Sequence, residues 1–104
     1  MIFEYDELKE CVTEDFEQFY NMGFNEKQIY PAVLNEYEHG KDFCQLECIC
    51  IHIFLVLIYK KNGMTYDFLM KKLEELLENV EDDIETNLEN EYQLFLDDIA
   101  RIKE

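Results

Sequence analysis

Between Cys48 and Tyr59 the chain reads CICIHIFLVLIY, its longest apolar run, interrupted only by His52. A helix needs about 20 apolar residues to cross a bilayer, so this run is too short for a membrane span and belongs inside a folded core. Its β-branched residues, Ile49, Ile51, Ile53, Val56 and Ile58, are also compatible with a strand. Its length, and the capping residues on either side, favour a helix. A helix that is apolar on every side must be surrounded by others. The run therefore predicts an all-α domain built around one central, buried helix.

The rest of the chain fits that frame. Only three Gly and one Pro occur in 104 residues, too few turns for an all-β domain, and the length suits one domain spanning residues 1–104. From about Glu4 to Tyr20, the residues Tyr5, Leu8, Val12, Phe16 and Phe19 recur at three- and four-residue spacing and mark one helical face. Gly23 is a natural stop. In the second segment Asn25 and Gln28 form a capping box, with Phe24 and Ile29 at the staple positions. Pro31 predicts either a kink or a short first turn, with the helix restarting near Tyr30. Val33, Leu34 and Tyr37 form the apolar face, and Gly40 ends the segment. Asp42 and Gln45 are the expected cap pair for the central helix, and Lys60, Lys61 and Asn62-Gly63 are its expected C-terminus.

Thr65 is the expected cap of a fourth helix carrying Tyr66, Leu69, Met70, Leu73, Leu76, Leu77 and Val80. A fifth carries Ile84, Leu88, Tyr92, Phe95, Ile99 and Ile102. The last two stripes are in phase. A single rod would leave much of its apolar face without a partner, so a turn is expected between Asn79 and Asp83. The whole reads as a small bundle of four to five helices.

The charge narrows the function. Nine basic and 25 acidic residues give a net charge of −16, which repels nucleic acid and anionic membranes and favours a basic partner. The acids gather at the two ends. Residues 1–20 carry net −6 and residues 81–104 carry net −7, whereas residues 41–63 carry net +1. At 100° per residue, Glu7, Glu10, Glu14 and Glu17 fall together opposite the apolar stripe of the first helix, with no lysine between them. This is an inefficient way to gain solubility and a good electrostatic target. Glu81, Asp82, Asp83, Asp97 and Asp98 form a second candidate patch near the C-terminus.

Catalytic and metal constellations are weak. Glu36-Tyr37-Glu38-His39 spells the Glu-x-x-His of di-iron bundles, but those sites need the motif twice, and the other histidine, His52, has Ile49 three residues before it. Cys44, Cys48 and His52 lie at four-residue steps on one helical face. A structural zinc site wants a fourth ligand, which Cys11 could supply only if the first helix crossed at the right height. Cys50 projects elsewhere, and there is no Cys-x-x-Cys. The chain has no serine. A Cys48–His52 pair would sit inside an apolar helix, where a thiolate is disfavoured. Neither an enzyme nor a bound cofactor is expected. Four cysteines, and an N-terminal stretch MIFEYDELKE without a basic region leading into an apolar run, lead to the expectation of a reduced, cytoplasmic setting.

The stretch FEQFYNMGFNEKQIYPAVLNEYEHG, followed by an apolar helix ending in LIYKKN and then by DFLMKKLEELLENV, resembles the immunity protein 3 family of bacterial polymorphic toxin systems. The family's Gly-aromatic turn corresponds to Gly23-Phe24. Its second-helix phrase corresponds to Val33-Leu34-Asn35-Glu36-Tyr37, and its closure of the third helix to Asn62-Gly63. The match spans roughly residues 12–80, and Pro31 departs from the family pattern. The resemblance implies a small, acidic, helical protein that binds the toxic domain of a sibling cell's effector in the cytoplasm and blocks it. Many such toxins are nucleases with basic substrate grooves, which an acidic surface can occupy. A helical adaptor, docking its C-terminal helix into a larger assembly, is the alternative.

Overall fold

The computed structural model describes residues 4–38, 44–80 and 84–103. Among these the chain forms α1 (Tyr5–Asn21), α2 (Glu26–Glu38), α3 (Gln45–Lys61), α4 (Asp67–Glu78), α5 (Ile84–Leu88), a single 3₁₀ turn (Glu89–Glu91) and α6 (Tyr92–Ile102), and no strand. The apolar run is the helix its length and capping predicted. α3 packs against α1, α2, α4 and α6. Ile49, Ile51, Ile53, Leu55 and Val56 point to different sides of it and are all fully buried. Each such side chain is worth about 2 kcal/mol of burial, enough to make α3 the organising element of the bundle. The core around it draws Tyr5, Leu8, Val12 and Phe16 from α1, Ile29 and Val33 from α2, Leu69 and Leu73 from α4, Leu88 from α5, and Phe95 and Ile102 from α6.

Helix ends follow local chemistry. In the capping box of α2, the Gln28 N–H donates to Asn25 Oδ1 at 3.0 Å, and the Asn25 N–H donates to Gln28 Oε1 at 2.9 Å. α1 and α3 close alike. Gly23 (φ 91°) and Gly63 (φ 68°) take the left-handed conformation that only glycine adopts cheaply. The residue after each glycine donates back five positions, Phe24 to the Phe19 carbonyl at 3.1 Å and Met64 to the Tyr59 carbonyl at 2.9 Å. Phe24 then stacks on Phe19 with ring centroids 5.4 Å apart, which locks the α1–α2 corner.

Four local expectations are corrected. The helix does not restart at Tyr30: α2 begins at Glu26 and continues through Pro31 to Glu38. The ring removes one backbone bond at an exposed position, while Ile29 and Val33 on either side are fully buried and hold the helix in place. The cap of α3 is Cys44, whose Sγ accepts the Glu47 N–H at 3.4 Å; Asp42, like Gly40, lies outside the described residues. α4 starts one residue later than Thr65 allows, with Tyr66 at its cap position and no side-chain cap bond. The last segment is not one helix, because Glu89 takes φ 51° and breaks it between α5 and α6. That break lets Glu91 reach across the bundle, where its Oε2 accepts the N–H of Tyr5, the first residue of α1, at 3.1 Å. A carboxylate there meets the positive end of the α1 dipole, a cap that Glu4 does not provide. α4 ends at Glu78, where the turn was expected to begin, and residues 81–83 of that turn lie outside the described residues.

Candidate protein-binding face

α1 separates its residues by period. Tyr5, Leu8, Val12 and Phe16 are buried against α3, while Glu7, Glu10, Glu14 and Glu17 are all exposed on the far side. Among the described residues, the ion pairs are Lys9–Asp98, Arg101–Asp98 and Lys72–Glu75. None involves the four glutamates. Another acid of α1, Asp15, is drawn toward α2 by the Tyr37 hydroxyl, which donates to its Oδ2 at 2.8 Å. The stripe's negative potential is felt by the exposed Cys11. Its thiol is pushed above the ordinary range, first by partial desolvation and then by Glu14, Asp15, Glu10 and Glu7.

Two apolar side chains that the periodicity did not single out continue this region. Tyr20 is 49% exposed and Met22 61% exposed at the C-terminal end of α1. Tyr20 stacks on Phe16 with centroids 5.5 Å apart, so it presents a rigid aromatic beside Glu17. Its position off the stripe running from Tyr5 to Phe19 was the available signal. Exposed aromatics beside charges are the residue types that anchor protein interfaces.

Of the second acidic patch, only Asp97 and Asp98 lie among the described residues. Asp97 is exposed and accepts a bond from Gln93 at 3.0 Å. Asp98 is a correction: it is 3% exposed and belongs to the core. The Tyr5 hydroxyl donates to its Oδ2 at 2.6 Å, and Lys9 Nζ lies 3.1 and 3.2 Å from its two oxygens. Arg101 Nη1 stands 3.5 Å away. Its place in the helix explains this, since Asp98 follows Phe95 by three residues and precedes Ile102 by four, on the buried face of α6. Burial first, and then the bond to Asp98, push the Tyr5 hydroxyl far above its ordinary pKa, so it stays protonated and donating. Glu81, Asp82 and Asp83 lie outside the described residues.

The histidine and cysteine chemistry is internal. His52 is fully buried, with Nδ1 2.7 Å from the Cys48 carbonyl and Nε2 2.8 Å from the Tyr30 hydroxyl. A carbonyl can only accept, so Nδ1 carries the proton and Nε2 accepts from Tyr30. Burial lowers the His52 pKa below 6.5, and Lys72 adds to this against the opposing bond to Cys48. The Tyr30 hydroxyl is pushed up to about 12 by burial and remains a donor. Cys48 Sγ lies 3.8 Å from Nδ1, but burial raises its thiol pKa, so the pair is neutral rather than a thiolate and an imidazolium. Cys44 serves as a cap, Cys50 is buried, and Cys11 is exposed on α1. Among the described residues, no group of three or more His, Cys, Asp or Glu is arranged to hold a metal ion. Glu36 is exposed, and His39 lies outside the described residues. Among the described residues no helix is long and apolar enough to cross a membrane. Comparison with protein-family models, with curated proteins and with solved structures found no match.

Proposed function

We propose that this protein is an immunity protein that neutralises a basic toxin domain, a nuclease, in the cytoplasm by covering its active site with the acidic face of α1. The observation that carries the reading is the set Glu7, Glu10, Glu14 and Glu17, exposed on one helical face and in no ion pair among the described residues. Like charges three and four residues apart weaken an isolated helix, so such a stripe costs stability that a bound cationic partner would return. A nuclease groove, basic because it holds a polyanion, complements it and would be steered to it over long range. Tyr20 and Met22 supply the apolar contact that holds such a complex once formed. The sequence resemblance to the immunity protein 3 family supports the same kind of partner.

The test is co-expression with any basic nuclease domain encoded immediately upstream of this protein's gene, the position the proposal predicts for its toxin. A stoichiometric complex in which RNA or DNA cleavage is abolished supports the proposal. The absence of a complex, or a complex that still cleaves, contradicts it. A helical adaptor docking through α6 is the second reading, favoured by Leu94 and Leu96, which are 40% and 39% exposed there.

A further inference from the structure

Three of the cations of this acidic chain line one cavity. A cavity of about 510 Å³ lies between α1, the second half of α3 and the end of α6. That volume falls within the range of about 300–1,000 Å³ typical of small-ligand sites. Phe54, Leu57 and Ile58 of α3 line it, with Phe16 and Tyr20 of α1 on one side. Three cations, Lys9, Lys61 and Arg101, line it as well, against a single acid, Glu17. The chain has nine Lys and Arg in all and a net charge of −16, so three of the nine around one cavity run against the character of the rest. Lys9 is committed to Asp98 and lies 5.9 Å from the centroid of the Phe54 ring. Arg101 has a single contact to Asp98 at 3.5 Å and a side chain 64% exposed, which leaves guanidinium donors for another acceptor. Lys61 is exposed and belongs to no ion pair among the described residues.

We infer that this cavity is a binding site for a small amphiphilic carboxylate, its aliphatic or aryl body on the Phe54–Leu57–Ile58 wall and its carboxylate between Lys61 and Arg101. An apolar wall alone would accept any hydrophobe. The cation pair at its edge selects one with a single anionic head, because a guanidinium and an ammonium both match a carboxylate. The site shares Glu17 and Tyr20 with the proposed toxin-binding face, but its test uses the protein without any partner and so stands or falls independently of the toxin-binding reading.

Octanoate is the probe, titrated calorimetrically into the intact protein without any partner. Saturable binding at one site per chain is expected at millimolar octanoate or below. Lys61→Glu and Arg101→Glu should each weaken it by about tenfold, the scale of one charge-assisted contact. Octanol, with the same tail and no charge, should bind more weakly than octanoate by a similar factor. Thr13→Trp, which projects an indole into the cavity, should abolish binding while circular dichroism shows helix content retained. Three results would overturn the assignment: no saturable binding, octanol binding as tightly as octanoate, or unchanged affinity in Lys61→Glu, an exposed position in no ion pair among the described residues, and in Arg101→Glu once circular dichroism shows the fold retained despite the lost contact to Asp98.

Discussion

The glutamates of α1 and the pair Glu91 and Asp98 near the C-terminus look alike in sequence and do opposite things in the fold. Glu7, Glu10, Glu14 and Glu17 stand in solvent on the face that α1 turns away from the core. Asp98 is held inside by Tyr5, Lys9 and Arg101, and Glu91 caps α1 through the Tyr5 N–H. Together Glu91 and Asp98 fasten the last helix to the first, a structural use of charge. Among the described residues the stripe has no such ion-pair partners. Helical phase relative to the buried face decides between the two roles, whatever the local density of carboxylates.

The contrast is sharpest as a difference of sign. Asp98→Ala should destabilise the protein by about 2–3 kcal/mol in urea unfolding, because the buried Tyr5 hydroxyl loses its acceptor while Lys9 and Arg101 can partly rehydrate. A change near zero would place Asp98 with the surface acids and erase the distinction.

His52 offers a second buried polar residue in which charge is excluded rather than balanced. Its folded pKa is lowered below 6.5 by burial. The unfolded chain therefore takes up this proton first, and the stability linked to it is present above about pH 6.5 and lost as pH falls below it. His52→Gln, which can still donate to the Cys48 carbonyl and accept from Tyr30, should escape that loss. The wild type should lose melting temperature relative to the variant between about pH 7.5 and about pH 5.5. Parallel curves would mean that His52 accepts its proton without cost to the fold.

The smallest effect has the opposite sign to the first. Glu10→Gln removes repulsion from Glu7 and Glu14, and should stabilise the protein by about 0.3 kcal/mol at low salt, fading as salt rises. Destabilisation would show that the stripe has an internal partner and is not a free surface.

Much of this architecture could be read from local pattern. The capping box of Asn25 and Gln28, the glycine stops at Gly23 and Gly63, and the burial of α3 each depend on residues a few positions apart, so periodicity and cap chemistry were sufficient. What escaped depends on distance. Asp98 meets Tyr5 and Lys9 about ninety residues away in the chain, and no local pattern announces that pairing. Its phase between Phe95 and Ile102 was nonetheless readable, as was the need of a buried Tyr5 for an acceptor. The break at Glu89 is set by the same long-range bargain, because it brings Glu91 to α1. At Pro31 the general helix-breaking tendency is overridden by Ile29 and Val33 on either side, both fully buried. The candidate face was visible as four glutamates in phase, while its apolar end at Tyr20 and Met22 emerged only once the burial of neighbouring side chains was known.

The central claim is that the α1 stripe is a steering surface for a basic partner, and the association rate tests it most directly. Stopped-flow binding of the cognate toxin domain should be compared for the wild type, for Glu7, Glu10, Glu14 and Glu17 all changed to Lys, and for Asp97→Lys. The quadruple variant should keep its helicity, since all four side chains are exposed. Its on-rate should fall by about tenfold or more at low salt and converge on the wild-type rate as salt rises, with Asp97→Lys changed far less. An on-rate unaffected by the four reversals at every salt concentration, with the basic domain still bound, would contradict the account.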